Sequence, residues 1–191
     1  MENRDHRGGP GRVAKRPMHH KYPRQLSYGA NNVVVAISDE EVGKLFTGDT
    51  RSDIGSESEK MRFANGVNGL VVTFLRLEVN EVLNADMLVM ERIYPIDFRA
   101  HEVERRELWF DVFTDELTDL HSAGFVHRDI QRPSGLPGER YDNVLLTNEG
   151  FRLIDVGISV LRRQVGDKFF DAYVRQELEE VEAFRQFLIA R

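Results

Sequence analysis

The chain has 191 residues, 41% of them hydrophobic and 30% charged, enough for one domain or two small lobes that share a cleft. It has no cysteine, which excludes disulfide staples and thiolate metal sites and leads us to expect a reducing, cytoplasmic setting. The net charge of −6 hides an asymmetry, because residues 1–24 hold seven Lys/Arg against two acids while the rest holds 19 basic and 30 acidic residues. An acidic body argues against nucleic acid as the main ligand. The basic, Gly- and Pro-rich arm at 1–24 reads as a flexible tail that could meet an anionic partner. No apolar run approaches the length of a membrane span, and no leader is visible, so no membrane partner is expected.

In chain order, "NNVVVAIS" (31–38) and "EVGKLFT" (41–47) are β-rich runs on either side of a short turn and predict a hairpin. "SESEKMRFAN" (56–65) predicts a short helix, and "GLVVTFLRLEV" (69–79) and "ADMLVMERI" (85–93) predict strands. From Glu102 to His121, Trp109, Val112, Phe113, Leu117 and Leu120 recur at helical spacing. Two short strands, "NVLLT" (143–147) and "FRLIDV" (151–156), flank the turn signal "NEG". From Asp167 onward, Phe170, Val174, Leu178, Val181, Phe184 and Leu188 form an amphipathic stripe. A strand-rich first half and a helix-bearing second half predict an α+β chain with a cleft between them.

"HRDIQRPSGLPGERYDN" (127–143) lies between the long helix and the second hairpin. "HRD" is a catalytic-loop signature of protein kinases, in which four residues separate the Asp from a metal-binding Asn; here thirteen separate Asp129 from Asn143. Pro133, Gly135, Pro137 and Gly138 mark the excess as a turn-rich insertion, which a loop tolerates at modest entropic cost. Phosphoryl transfer from ATP needs a cation on the phosphates, oxygen ligands for Mg²⁺ and a carboxylate at the acceptor hydroxyl. Asp155 in "LIDVG" ends a predicted strand beside Gly157, a variant of the DFG signature. Lys44 lies among apolar neighbours in its strand, and Glu57 or Glu59 on the following helix could pair with it. Glu59 is preferred, because the chain then has a comfortable helix-plus-turn length to reach the strand at Val71. A competing register takes "VAIS" (35–38) as the lysine strand, but it ends in Ser38 and would lack the phosphate lysine. "LSYGANNVVV" (26–35) occupies the place of a Gly-rich loop, with only Gly29 of three glycines. Met90, Glu91 and Ile93 fit a segment whose backbone would meet adenine. Arg132 or Arg140 could neutralise the transferred group or bind an acidic acceptor. Ser134 is a conceivable self-phosphorylation site, and His127 is expected to bond backbone near Asp155.

These residues together resemble a eukaryotic-type protein-kinase fold, most similar to the compact RIO-type atypical kinases. "LIDVGISV" and the "FFDAYVRQELEEVEAFRQFL" helix after it resemble the end of that pattern, and the resemblance covers about residues 26–188. It implies a minimal bilobal fold: an antiparallel-sheet N-lobe over 25–93 and a truncated helical C-lobe over 94–191, with an insertion at 130–142. It also implies a serine/threonine-type phosphotransferase using ATP and Mg²⁺. Asp129 would act at the acceptor, with Lys44, Glu59 and Arg132 as further catalytic groups. Asn143 and Asp155 would hold metal, and Gly29, Lys44, Met90, Glu91 and Ile93 would hold nucleotide. Arg128 stands where RIO-type members usually carry Gly or Ala, and no activation loop lies between Gly157 and the last helix. The acceptor is therefore left open between a protein, self included, and a small-molecule hydroxyl. A nucleotide-binding scaffold is the alternative.

Overall fold

The computed structural model describes residues 24–28, 33–46, 53–82, 84–134 and 139–190; the expected tail through residue 23, and Gly29, lie outside them. The described chain is mixed α+β. Strands β1 (Arg24–Tyr28), β2 (Val33–Ala36), β3 (Glu41–Phe46), β4 (Phe74–Asn80) and β5 (Ala85–Glu91) form one antiparallel sheet in the order β1-β2-β3-β5-β4. The β2–β3 hairpin turns where the sequence predicts. Ser38 Oγ accepts from the amides of Glu40 and Glu41 at 3.0 Å each and closes the turn. Strand β1 arises from a polar run, "RQLSY", that takes its conformation from pairing with β2 rather than from its own pattern.

Side chains alternate across a strand, so register decides which face each residue serves. Lys44 pairs with Val34 on one side and Leu88 on the other, which places it with Phe46 and Leu88 on the face toward helix α1 (Ile54–Asn65). The opposite face carries a smaller apolar cluster of Val35, Leu45, Ala85, Met87 and Val89. Gly43 belongs to that opposite face, and an added Cβ there would lie 2.3 Å from Met87 Sδ, so a larger residue beside the lysine would displace the Met87 side chain. Ala36 ends β2 and Lys44 lies in β3, which rules out the competing register.

Helix α1 starts at the Asp53 cap, whose carboxylate accepts from Ser56 N, and it buries Glu57, Ser58, Lys60, Met61 and Ala64. The segment 69–73, predicted as part of a strand, instead runs extended against the second half of the chain. Val72 N donates to Leu153 O at 2.9 Å and Leu153 N to Leu70 O at 2.8 Å. Helix α2 (Val103–Ala123) ends at Gly124, whose φ of 103° supplies a left-handed cap that few other residues adopt without strain. After it come β6 (Phe125–Val126), β7 (Val144–Thr147), β8 (Gly150–Leu153) and β9 (Val160–Leu161), in the pairs β6–β9 and β7–β8. Helices α3 (Arg162–Val165) and α4 (Asp167–Ile189) complete the described chain. The strand predicted over 151–156 ends at Leu153, two residues before Asp155.

The main core lies between the sheet, α1, α2 and α4. Phe113, Phe151 and Phe184 stack edge-on with ring centroids 5.4–5.9 Å apart, and Tyr141 packs 5.0 Å from Phe184. Two expected stripe residues face outward: Val112 and Leu178 are about half exposed, and Phe110 and Glu177 occupy the buried positions instead. Among the described residues no helix is long and apolar enough to cross a membrane.

Candidate functional site

Lys44 Nζ donates to Glu57 Oε1 at 3.0 Å, to Glu57 Oε2 at 2.9 Å and to Asp155 Oδ1 at 2.9 Å. All three ammonium donors are thus met by oxygen, on a residue 5% exposed. Burial opposes the charge on Lys44, but the carboxylates of Asp155 and Glu57 outweigh it and hold its pKa above the ordinary lysine value. Asp155 shows the mirror image: desolvation works to raise it, and the Lys44 ammonium prevails and lowers it. Half of the Asp155 side chain remains open, whereas that of Glu57 is enclosed.

The lysine partner is therefore Glu57 and not Glu59. Glu59 leaves the helix on the other side and pairs with Arg163 at 2.6 Å, both side chains about half exposed. The signal lay in the sequence: Met61 and Ala64 mark the apolar face of α1, and Glu57 shares that face one turn earlier.

The loop after β6 supplies the second half of the site. Asn143 Nδ2 donates to Asp129 Oδ2 at 2.8 Å and to the Asp129 carbonyl at 3.1 Å. Ile154 N donates to the Asn143 carbonyl at 3.0 Å, so Asn143 and Asp155 lie on adjoining backbones despite the insertion. Burial, the largest influence, raises the Asp129 pKa, and the nearby Asp155 adds to it against His127, Asn143 and Arg132. His127 is fully buried, with Nε2 2.9 Å from the Ile154 carbonyl, the structural role its sequence position suggests. Arg128 and Asp155 are non-glycine residues at φ of 70° and 60°, a left-handed conformation concentrated here at the two ends of the site.

Helix α4 holds this loop through residues that sequence reading missed. Glu177, 1% exposed, accepts from Arg128 N through Oε2 and lies 2.8 Å from His121 Nε2 through Oε1. Glu180 accepts from Gln131 N at 3.3 Å. Glu177 lies seven residues after Phe170 and four before Val181, both buried, so an acid on the apolar stripe was the available signal.

Other expected members have further partners. Arg132 is a brace at the base of the insertion: its Nε lies 2.9 Å from Asp142 Oδ2, and its amide donates to the Arg140 carbonyl at 2.8 Å. Its guanidinium pairs with Asp142 and also feels the charges of Asp129 and Asp155. Arg140 donates to Gln131 Oε1 at 3.1 Å. Residues 135–138 of the insertion lie outside the described chain. Of the backbone expected to meet adenine, Glu91 N donates to Thr73 O at 3.0 Å and Arg92 N to Glu40 O at 2.8 Å. Both are internal sheet contacts, which leaves Ile93 N as the amide of this segment without an acceptor among the described residues. The Glu91 side chain is structural as well, accepting from Thr73 N at 2.7 Å, Thr73 Oγ1 at 2.8 Å and Arg152 Nη2. Met90 packs against the main core.

Among the described residues no group of three or more acidic or histidine side chains is assembled for a metal ion. The oxygens at hand are the half-open Asp155 carboxylate and the amide oxygen of Asn143, whose nitrogen is committed to Asp129. Such a set suits Mg²⁺, which commonly takes one or two protein oxygens and completes its octahedron with phosphate and water. A separate cavity of about 440 Å³, lined by Phe63, Gly124, Leu161, Arg162, Arg163 and Asp167 among others, contains none of these groups. No protein-family model and no curated protein matches the chain.

Proposed function

We propose that the chain is an ATP- and Mg²⁺-dependent phosphotransferase acting on a hydroxyl, built on a minimal two-lobed fold similar to RIO-type kinases. One observation carries this reading: a buried lysine from β3 is gripped by a buried glutamate of the next helix and by Asp155, 111 residues later in the chain. A single structural ion pair would need only one of those acids. The five-strand order with α1 packed beside it, and the Asn143–Asp129 bond across an inserted loop, support the same reading.

In this account Glu57 keeps Lys44 charged and aimed while phosphate oxygens take the place of Asp155 on its ammonium. Asp155 is the partner able to move aside, being half open where Glu57 is enclosed. The released carboxylate and the Asn143 amide oxygen would hold Mg²⁺, which when bound neutralises phosphate charge. Asn143 occupies Asp129 Oδ2, so Oδ1 receives the acceptor proton as the acceptor oxygen bonds to the γ-phosphorus and the bond to the ADP oxygen breaks. Ile93 N–H is the backbone donor left for the base. A protein hydroxyl, self included, is the first acceptor class and a small-molecule hydroxyl the second.

A nucleotide-binding scaffold is the competing reading, favoured by the pairing of Arg132 with Asp142, which ties up one of the two loop arginines. Incubation with γ-labelled ATP and Mg²⁺ separates the two. Label on protein or as free phosphate, lost in Asp129→Asn and Asp155→Ala, supports the enzyme. Mg²⁺-dependent binding without turnover in any acceptor pool supports the scaffold.

A further inference from the structure

Lys60 is a second buried ammonium in this region, and the proposed chemistry gives it no task. It lies one helical turn after Glu57 on the same face of α1 and is 6% exposed. Its Nζ donates to the Gly157 carbonyl at 2.8 Å and approaches the Val156 carbonyl at 3.4 Å, and it bonds no carboxylate. Burial works against this charge more than the nearby Glu57 carboxylate supports it, and an apolar side chain of the same length would fill the space without that penalty. The carbonyls it holds are those directly after Asp155, whose left-handed backbone starts the turn. Helix α1 therefore grips both sides of one turn. Glu57 reaches the Asp155 carboxylate through Lys44, and Lys60 holds the peptide groups that fix where that carboxylate points.

We propose that Lys60 is a positioning residue that ties the turn at 155–157 to α1 and so sets the Asp155 carboxylate for metal capture. The inference rests on the phosphotransferase reading. Lys60 touches neither nucleotide nor acceptor.

The test is calorimetric titration of the full chain with a non-hydrolysable ATP analogue, in Mg²⁺ and in EDTA, with melting curves for wild type, Lys60→Met and Lys60→Arg. Lys60→Met should melt no lower than wild type and bind the analogue in EDTA with wild-type affinity. It should lose about tenfold of the affinity gained from Mg²⁺, the usual scale for an outer-shell partner of a metal ligand, and Lys60→Arg should recover part of that. An unchanged Mg²⁺ gain in Lys60→Met, or a loss that merely follows a lower melting temperature, overturns the positioning role. A wild-type protein with no Mg²⁺ gain at all removes the phosphotransferase reading, and the positioning role with it.

Discussion

Glu57 and Glu59 are two positions apart on α1, a rotation of about 200° around the helix. That rotation gives one of them a buried lysine and the other a surface arginine. Glu57→Gln leaves the Lys44 ammonium with Asp155 as its one anionic partner, and that carboxylate competes with nucleotide for the same cation. Steady-state kinetics should show kcat/KM lower by about two orders of magnitude, the scale for one preorganised electrostatic group in a dry site. Glu59→Gln removes an exposed pair of the kind that contributes about 0–1 kcal/mol, so its kcat/KM should stay within about twofold of wild type. Asp129 yields a pH prediction with a definite sign. Its ionised form accepts the proton, and burial holds its pKa above the ordinary 3.8. Activity should therefore fall as pH drops through a midpoint above that of free aspartate, and a pH profile of kcat/KM should place it there. Lys44 is also pushed upward, by the Asp155 and Glu57 carboxylates, so it keeps its charge throughout the range in which Asp129 titrates.

At the scale of elements, the helices were legible wherever a stripe of apolar residues met one packing surface. Helix α4 shows both the strength and the limit of that signal. Phe170, Val181, Phe184 and Leu188 are buried as the spacing predicts, yet Leu178 faces outward and Glu177 takes the inward position. A count of apolar letters favours leucine over glutamate. Two hydrogen-bond donors, His121 and the Arg128 amide, are supplied by distant parts of the chain and stabilise the acid instead. Glu177→Ala orphans both donors at about 1–3 kcal/mol each, so the denaturant midpoint should shift down markedly. Glu177→Gln, which keeps an acceptor for the Arg128 amide, should lie between that variant and wild type. Strand β1 and the extended run 69–73 were not legible, because their conformations come from the partners β2 and Leu153 rather than from any internal period. Of the candidate site residues, the structure brings Lys44 to Asp155 and Asn143 to Asp129, although 111 and 14 positions separate them in the chain. The local pairings of Arg132 with Asp142 and of the Glu91 amide with the Thr73 carbonyl have no spacing signal in the sequence.

Across the whole molecule, the strand-rich and helix-bearing halves are joined by more than the chain itself. The extended run 69–73 pairs with Leu153 of β8, and the Arg152 guanidinium reaches back to Glu91 and Thr73 at the end of β5. These ties hold β8, and hence the turn that carries Asp155, against the sheet that carries Lys44. The central claim is that side chains from both halves converge on one triphosphate. The most direct measurement is a crystal structure with a non-hydrolysable ATP analogue and Mn²⁺ in place of Mg²⁺, located by anomalous scattering. The account predicts the Lys44 ammonium on the phosphates, the metal between Asn143 and Asp155, and Asp129 facing the γ-phosphate. A nucleotide bound elsewhere, or a metal ligated by neither Asn143 nor Asp155, would contradict it.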